Sequence, residues 1–143
     1  MTTAERLIAL DTSAAVPFLM ASHTAHEAAR SQLRGRPLAL TQHSSVETYS
    51  VLTRLPGDAR VAPADAVRLI GENFGEPLLL DEADAVSIPS VLAAIGVAGG
   101  AVYDAVVGLA ARANGVPLAT RDARATATYQ AVGVEFEVIS DST

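Results

Sequence analysis

Short apolar runs separated by helical patterns are the feature that most constrains the fold of this chain. The sequence predicts strands at residues 7–10, 37–40, 77–80, 116–120 and 134–139. Most of these runs are continuously apolar rather than alternating, which is typical of parallel strands covered on both faces. The pattern therefore predicts an α/β fold with a mostly parallel central sheet flanked by helices on both faces.

Amphipathic segments fill the intervals between the predicted strands. Helices are predicted from Thr12 onward and at residues 23–33, 44–55, 64–74, 83–95, 101–113 and 123–132, with Pro17 and Pro89 inside two of them. The chain has 143 residues and is 50% hydrophobic, enough for one core. No repeat or long linker divides it, so we expect a single domain over residues 1–143.

Composition excludes several kinds of chemistry. The chain has no cysteine, which removes disulfides, zinc–thiolate sites and cysteine nucleophiles. Every basic residue is arginine, so a P-loop lysine and a Schiff-base lysine are excluded. The net charge of −6 argues mildly against a nucleic-acid binder. No apolar run approaches the roughly 20 residues of a membrane span, and the N-terminus does not resemble a signal peptide, so we expect a cytoplasmic protein.

Four acidic residues stand apart from the solvent-facing ones. Asp11 follows the first predicted strand in "LIALDTS", and Asp122 follows the strand at residues 116–120. Asp104 lies in the first turn of the helix after Gly99 and Gly100, and Glu47 lies on the helix at residues 44–55 with apolar residues four and eight positions on. Parallel topology places strand ends and the following helix starts at one edge of a sheet.

Each acid also has a purely structural explanation. Asp11 and Asp122 could cap helices, a role worth about 1 kcal/mol. Asp104 could complement a helix dipole, and Glu47 could pair with an arginine. If the four converge, their mutual repulsion demands a counter-ion, and an all-oxygen set suits Mg²⁺ or Mn²⁺. The alternative that they do not converge stays open at the level of sequence.

Four segments, each with one of these acids, resemble the PIN-domain nucleases and are most similar to the VapC-type toxins of bacterial toxin–antitoxin pairs. They are "LDTSA" at residues 10–14, "SSVETYSVLTRL" at 44–55, "GGAVYDAVVGLAA" at 99–111 and "LATRDARA" at 118–125, with "YQAVGVEFEVI" closing the pattern. The resemblance spans nearly the whole chain in the order of the family. No segment is decisive alone, but the four in sequence are specific.

The resemblance implies a fold, an activity and a site. It implies a single PIN-like domain with the activity of an Mg²⁺- or Mn²⁺-dependent endoribonuclease, which acts as a toxin and inhibits translation or growth when free. It further implies an RNA substrate, a small antitoxin protein as partner and a homodimer. The implied metal-binding and catalytic residues are Asp11, Glu47, Asp104 and Asp122, with Thr120, Thr12 and Ser13 as supporting residues.

Other residues and functions are less clearly indicated. Arg121 and Arg124 flank Asp122 and could contact phosphate, or could be ordinary surface arginines. The three histidines show no ligand pattern, and the aromatic content of 4% offers no obvious surface for base stacking. A magnesium-dependent phosphatase of the haloacid dehalogenase type would need an acid at the place of Ser13 and a lysine. A catalytically silent partner-binding domain would be expected to lack at least one of the four acids.

Overall fold

A four-stranded parallel sheet forms the centre of the protein in the computed structural model, which describes residue 2 and residues 5–141. The strands are β1 (Ile8–Leu10), β2 (Leu38–Leu40), β3 (Leu118–Thr120) and β4 (Phe136–Val138), in the spatial order β2-β1-β3-β4. Ala9 is in register with Ala39 of β2 on one side and with Leu118 of β3 on the other. The chain leaves β1 and β3 toward opposite edges, so the gap between their carboxyl ends is a topological switch point.

Eight α-helices are found in the described part of the chain: α1 (Thr12–Leu19), α2 (His26–Leu33), α3 (Gln42–Thr53), α4 (Pro63–Asn73), α5 (Glu82–Ala85), α6 (Ile88–Ala94), α7 (Val102–Ala113) and α8 (Thr126–Val132). Short 3₁₀ turns precede two of them, at Gly99–Ala101 before α7 and at Ala123–Ala125 before α8. The α/β fold predicted from the apolar runs is therefore confirmed.

Helices cover both faces of the sheet, as the continuously apolar strands predict. Ile8 and Leu10 face one core, which α1 and α2 complete with Phe18 and Leu33. Ala9 faces the opposite core, to which α7 contributes Leu109 and α8 contributes further buried side chains. All residues of the two inner strands, β1 and β3, are fully buried, so the rest of the protein packs around this pair.

The strand predicted at residues 77–80 is wrong, because only Leu78 pairs with the sheet. The Leu78 N–H donates to the carbonyl of Leu40, and the Gln42 N–H donates to the carbonyl of Leu78, which forms a single parallel bridge with Thr41. At the same edge the Gly75 N–H donates to the carbonyl of Leu38, and the edge ends beyond Thr41 because α3 begins there. Pro77 has no N–H to donate on the other side.

The single helix predicted at residues 83–95 is two helices, α5 and α6. A continuous helix would need an N–H at Pro89 to bond the carbonyl of Ala85, and proline has none. Pro89 lies instead in the first turn of α6, where its missing N–H costs nothing. Helix α5 ends one turn earlier, at Ala85.

The helices within residues 5–141 are short compared with a membrane span. No single helix there is both long and apolar enough to cross a bilayer. Ile88–Ala94 and Gly99–Ala113 reach that length and composition only when taken together, and the chain bends by 116° between them.

Gly108 allows α7 to approach α8 unusually closely. A Cβ atom at this position would lie 3.3 Å from Cγ1 of Val132 and 3.4 Å from Cδ1 of Tyr129. These distances are at or below ordinary van der Waals contact, so a larger side chain would push the two helices apart. Since Tyr129 reaches the site described below, the glycine also affects where the tyrosine lies.

Replacing Gly108 with valine is expected to lower the free energy of unfolding by about 2 kcal/mol, because the branched side chain overpacks the helix interface. Gly71, inside α4, is the matched control, since nothing lies within 4 Å of a Cβ there. Gly71→Ala should raise the same free energy by roughly 0.5–1 kcal/mol through helix propensity alone. Urea denaturation measures both. An unchanged midpoint for Gly108→Val would contradict the close approach.

Candidate active site

Asp11, at the carboxyl end of β1, is a buried and fully hydrogen-bonded acid. Its side chain is only 4% exposed. Oδ1 accepts hydrogen bonds from the N–H of Ala14 at 3.2 Å and from the hydroxyl of Ser13 at 2.6 Å. Oδ2 accepts from the hydroxyl of Tyr129 at 2.7 Å. Asp11 is the N-cap of α1, so the structural explanation holds, but one backbone donor alone would not require this degree of burial and support.

Tyr129 is a site residue that the sequence did not reveal. It is fully buried on α8, between the apolar side chains of one core. Burial, followed by the negative charge of Asp11, strongly raises the pKa of Tyr129, so its phenol stays protonated and donates to Asp11. The one available signal is chemical: a buried tyrosine hydroxyl usually needs a hydrogen-bond partner.

A chain of hydroxyl groups joins the ends of β1 and β3. The N–H of Asp122 donates to Oγ1 of Thr120 at 3.0 Å, Oγ1 of Thr120 lies 3.2 Å from Oγ of Ser13, and Ser13 donates to Asp11. A carboxylate only accepts, so the direction of the chain runs from Asp122 to Asp11. Ser13 and Thr120 thus connect two of the acids. The hydroxyl of Thr12 is buried and makes no hydrogen bond within the described residues.

Asp122 follows β3 and caps the short 3₁₀ turn before α8. Its Oδ1 accepts from the N–H of Arg124 at 3.0 Å. The side chain of Arg124 is 94% exposed, with Nε 3.5 Å from the same oxygen. Arg121 differs, because its guanidinium pairs with Asp141 at 3.0 Å. Of the two arginines, Arg124 has the more accessible charge, and contact with phosphate stays a prediction for both.

Glu47 lies beside the buried face of α3, and its position depends on how that helix starts. Thr41 caps α3, and Ser44 returns a bond to the N–H of Thr41, which forms a capping box. The predicted start at residue 44 is therefore two residues late. The fully buried positions are Ser44, Thr48 and Leu52, so the stripe containing Glu47 is only half-buried. Its partner is a histidine rather than an arginine: Oε1 lies 3.2 Å from Nε2 of His43.

Asp104, in the first turn of α7, is the acid whose pKa is raised by burial and by the other three acids. Partial burial is the largest influence and raises its pKa, and the charges of Asp11, Asp122 and Glu47 raise it further, to about 6. The nearby His43 acts in the opposite direction. The structure therefore brings all four predicted acids to one edge of the sheet, around the switch point between β1 and β3.

The donor set matches a hard divalent cation in its chemistry. All four side chains are carboxylates, and the electrostatic cost at Asp104 is the kind that a cation relieves. Among the described residues, no three acidic or histidine side chains already stand in ligand positions around one point. The carboxylates of Glu47 and Asp122 are partly exposed to solvent. The donor set therefore suits such an ion in its chemistry, although the side chains do not stand in ligand positions.

The fold and the site together define an α/β protein with an acidic centre at its switch point, and comparisons with known proteins identify the family. A model of the PIN domain matches residues 8–130. The chain is 52% identical over 131 residues to Ribonuclease VapC27 of Mycobacterium tuberculosis, covering 92% of this chain and 96% of that protein. It is 42% identical over 135 residues to Ribonuclease VapC40 of the same species, covering 94% of this chain and all of that protein. The chain belongs to the PIN-domain family, and its relatives are VapC-type members, which confirms the resemblance.

Solved structures support the fold. The chain superposes on FitAB bound to an IR36 DNA fragment with a TM-score of 0.64 at 19% identity, covering 92% of this chain and 94% of the other. A VapBC-5 structure from Mycobacterium tuberculosis, described as a toxin–antitoxin system, gives a TM-score of 0.54 at 18% identity, with 93% and 97% covered. At these identities the similarity establishes the shared architecture.

The pKa of Asp104 predicts how stability depends on pH. The ordinary value is 3.8 and the folded value is about 6, so the folded protein binds a proton more tightly than the unfolded chain. The stabilisation from that proton is present below about pH 4 and is lost as the pH rises through 6. In metal-free buffer, Asp104→Asn is expected to stabilise the protein at neutral pH by about 1 kcal/mol, discounted because solvent screens a half-exposed group.

Thermal unfolding of the two proteins across this pH range, in EDTA, measures the effect. The melting temperature of Asp104→Asn should exceed that of wild type by about 3 °C at neutral pH and match it below about pH 4. Glu76→Gln, a change at an acid away from the site, is the control and should show no such pH-dependent difference. A variant that is less stable than wild type at neutral pH would contradict the crowding of charge.

Proposed function

We propose that this chain is a divalent-metal-dependent endoribonuclease that acts as the toxin of a toxin–antitoxin pair and inhibits translation or growth when free. The observation that most supports the proposal is the placement of Asp104, whose pKa is raised by partial burial and further by three neighbouring carboxylates at one sheet edge. The names of the two relatives, both ribonucleases, support the reaction class. All four acids and the supporting hydroxyls of the family pattern are present.

The residues proposed to hold Mg²⁺ or Mn²⁺ are Asp11, Glu47, Asp104 and Asp122. When bound, such an ion supplies Lewis acidity toward the phosphate and activates water for attack. Ser13 and Tyr129 keep the carboxylate of Asp11 in one orientation, because each of its oxygens has a fixed donor. The exposed guanidinium of Arg124 can offset negative charge on a phosphate beside Asp122.

The reaction proposed is direct hydrolysis of an RNA phosphodiester. Water attacks phosphorus in line with the leaving oxygen, the P–O bond breaks, and no covalent bond to the protein forms. Catalysis then depends on positioning and on stabilising the charge of the transition state. This mechanism suits a chain that has no cysteine and no lysine.

Two other functions agree less well with the site. A magnesium-dependent phosphatase would use an acid where this chain has Ser13, whose hydroxyl is occupied in bonding Asp11. A silent partner-binding domain would have no need to keep four acids close together, since their repulsion is unfavourable. The ribonuclease explains both observations better.

Cleavage of total cellular RNA tests the proposal. Wild type with Mg²⁺ or Mn²⁺ should generate new 5′ ends at defined positions, and EDTA should abolish them. Asp104→Asn should reduce the rate by at least about 100-fold, because it removes one charged carboxylate from the proposed metal site. The variant should remain folded, which the thermal unfolding measurement above checks.

Glu76→Gln again provides the matched control and should cleave like wild type. Cleavage that persists in EDTA, or that Asp104→Asn leaves unchanged, would contradict the metal-dependent mechanism. Equal inactivity of wild type and variant in all metals, in protein shown to be free of any bound partner, would favour the silent partner-binding domain.

The proposed antitoxin requires an apolar contact surface, and the groove between α3 and α4 is our candidate. The groove encloses about 780 Å³. Val46 is 63% exposed and Val67 is 64% exposed along it, and Ile70 and Phe74 line it more deeply. The VapBC-5 structure is described as a toxin–antitoxin system, which supports an antitoxin segment as the occupant. A homodimer and a cytoplasmic location also stay predictions.

Charge placed in the groove should release the enzyme from inhibition. A small antitoxin protein that abolishes wild-type ribonuclease activity on co-expression is expected to inhibit Val67→Glu at least about tenfold less well, because a buried unpaired charge is costly. Val86→Glu, at an exposed valine outside the groove, is the control. Equal inhibition of both variants would place the antitoxin on another surface.

A further inference from the structure

Two aromatic rings stack at the edge of the site, although the low aromatic content predicted no such surface. The imidazole of His43 and the phenol ring of Tyr103, here called the ring pair, have centroids 5.6 Å apart and planes only 14° from parallel. His43 comes from α3 and Tyr103 from α7. Tyr103 is 59% exposed, which is high for a large aromatic residue.

Each residue of the ring pair adjoins one of the four acids. Tyr103 directly precedes Asp104 in the first turn of α7. His43 lies one helical turn before Glu47, with Nε2 3.2 Å from Oε1 of the acid. The imidazole of His43 is largely buried, and the phenol ring of Tyr103 packs against it. Whatever binds the four acids therefore lies beside the exposed Tyr103.

The charges around the ring pair disfavour an anionic group on the rings. Asp104 and Glu47 would repel a phosphate placed directly on the rings. A nucleobase has no charge and a flat π-face, and bases stack on exposed aromatic side chains in single-stranded nucleic acids irrespective of sequence. In a double helix the bases are already stacked on one another, so this contact requires unpaired RNA.

We propose that Tyr103, supported by His43, stacks on an unpaired nucleobase next to the phosphodiester that is cut. The inference rests on the proposed ribonuclease activity and adds to it a residue that contacts the base beside the cut. Stacking would hold the base on the ring and bring the neighbouring phosphate to the acids, where the proposed cation would offset the repulsion between their charges.

Kinetics of variants at Tyr103 test the contact. Tyr103→Leu keeps apolar volume but removes the π-face, and should lower kcat/KM about tenfold, mainly through KM. Tyr103→Phe keeps the ring and should remain near wild type. Val86→Leu is the control: Val86 is 81% exposed and lies outside both the site and the groove between α3 and α4. It should cleave like wild type.

A spectroscopic test measures stacking without cleavage. The chain contains no tryptophan, so Tyr103→Trp introduces a single indole. In the presence of Asp104→Asn, which prevents turnover, a short single-stranded oligoadenylate should quench the indole fluorescence saturably. An abasic ribose–phosphate chain of the same length should quench it far less. The same pair of ligands should have little effect on an indole at residue 86, introduced by Val86→Trp.

The outcomes separate this inference from the proposed function. RNA cleavage by wild type with unchanged kinetics for Tyr103→Leu would overturn the stacking while the ribonuclease stands. Quenching by oligoadenylate in a protein whose wild type cuts no RNA would support the stacking while the ribonuclease fails. Equal quenching by the abasic chain would also overturn it. The stacking would also be overturned if Tyr103→Leu changed only the sedimentation mass of the protein, because the ring would then belong to a protein interface.

Discussion

The hydrogen bond from Tyr129 to Asp11 is the interaction on which the site depends. A carboxylate as buried as Asp11 is tolerated only when donors surround it, and the donors come from α1 and α8. Because Asp11 also bonds through Ser13 to Thr120, one buried charge connects β1, β3 and both helices. The close contact of α7 with α8 at Gly108 sets the position of the tyrosine that completes this arrangement.

The four acids are kept near one another although their charges repel. Asp104 is partly buried beside three other carboxylates, which makes its ionised form unfavourable at neutral pH in the absence of a cation. An ordinary helix start would be more stable without this crowding, and proteins often retain such unfavourable arrangements at functional sites. The stacked His43 and Tyr103 lie at the same place, so the surface that recognises a ligand and the charges that act on it are parts of one structure.

Local patterns allowed most of the fold and the four acids to be predicted. The residue types around Asp11 and Asp122 mark strand ends that parallel pairing brings together, and this needs no knowledge of distant contacts. Tyr129 was missed because its partner is 118 residues away in sequence and its helix appears simply apolar. The strand at residues 77–80 was overpredicted because only the geometry of the β2 edge reveals that Leu78 alone can pair. The ring pair joins residues 60 positions apart, which a count of aromatics cannot detect.

The four acids divide into two kinds by what else they do. Asp11 and Asp122 each cap a helical segment, so their loss would weaken the local backbone as well as the site. Asp104 and Glu47 cap nothing, so a change at either leaves the capped helix starts intact. If the free protein is harmful to its host, selection can silence it by changing Asp104 or Glu47 without removing a cap. Silenced descendants would therefore remain folded proteins with an intact surface, available for evolution as binding domains.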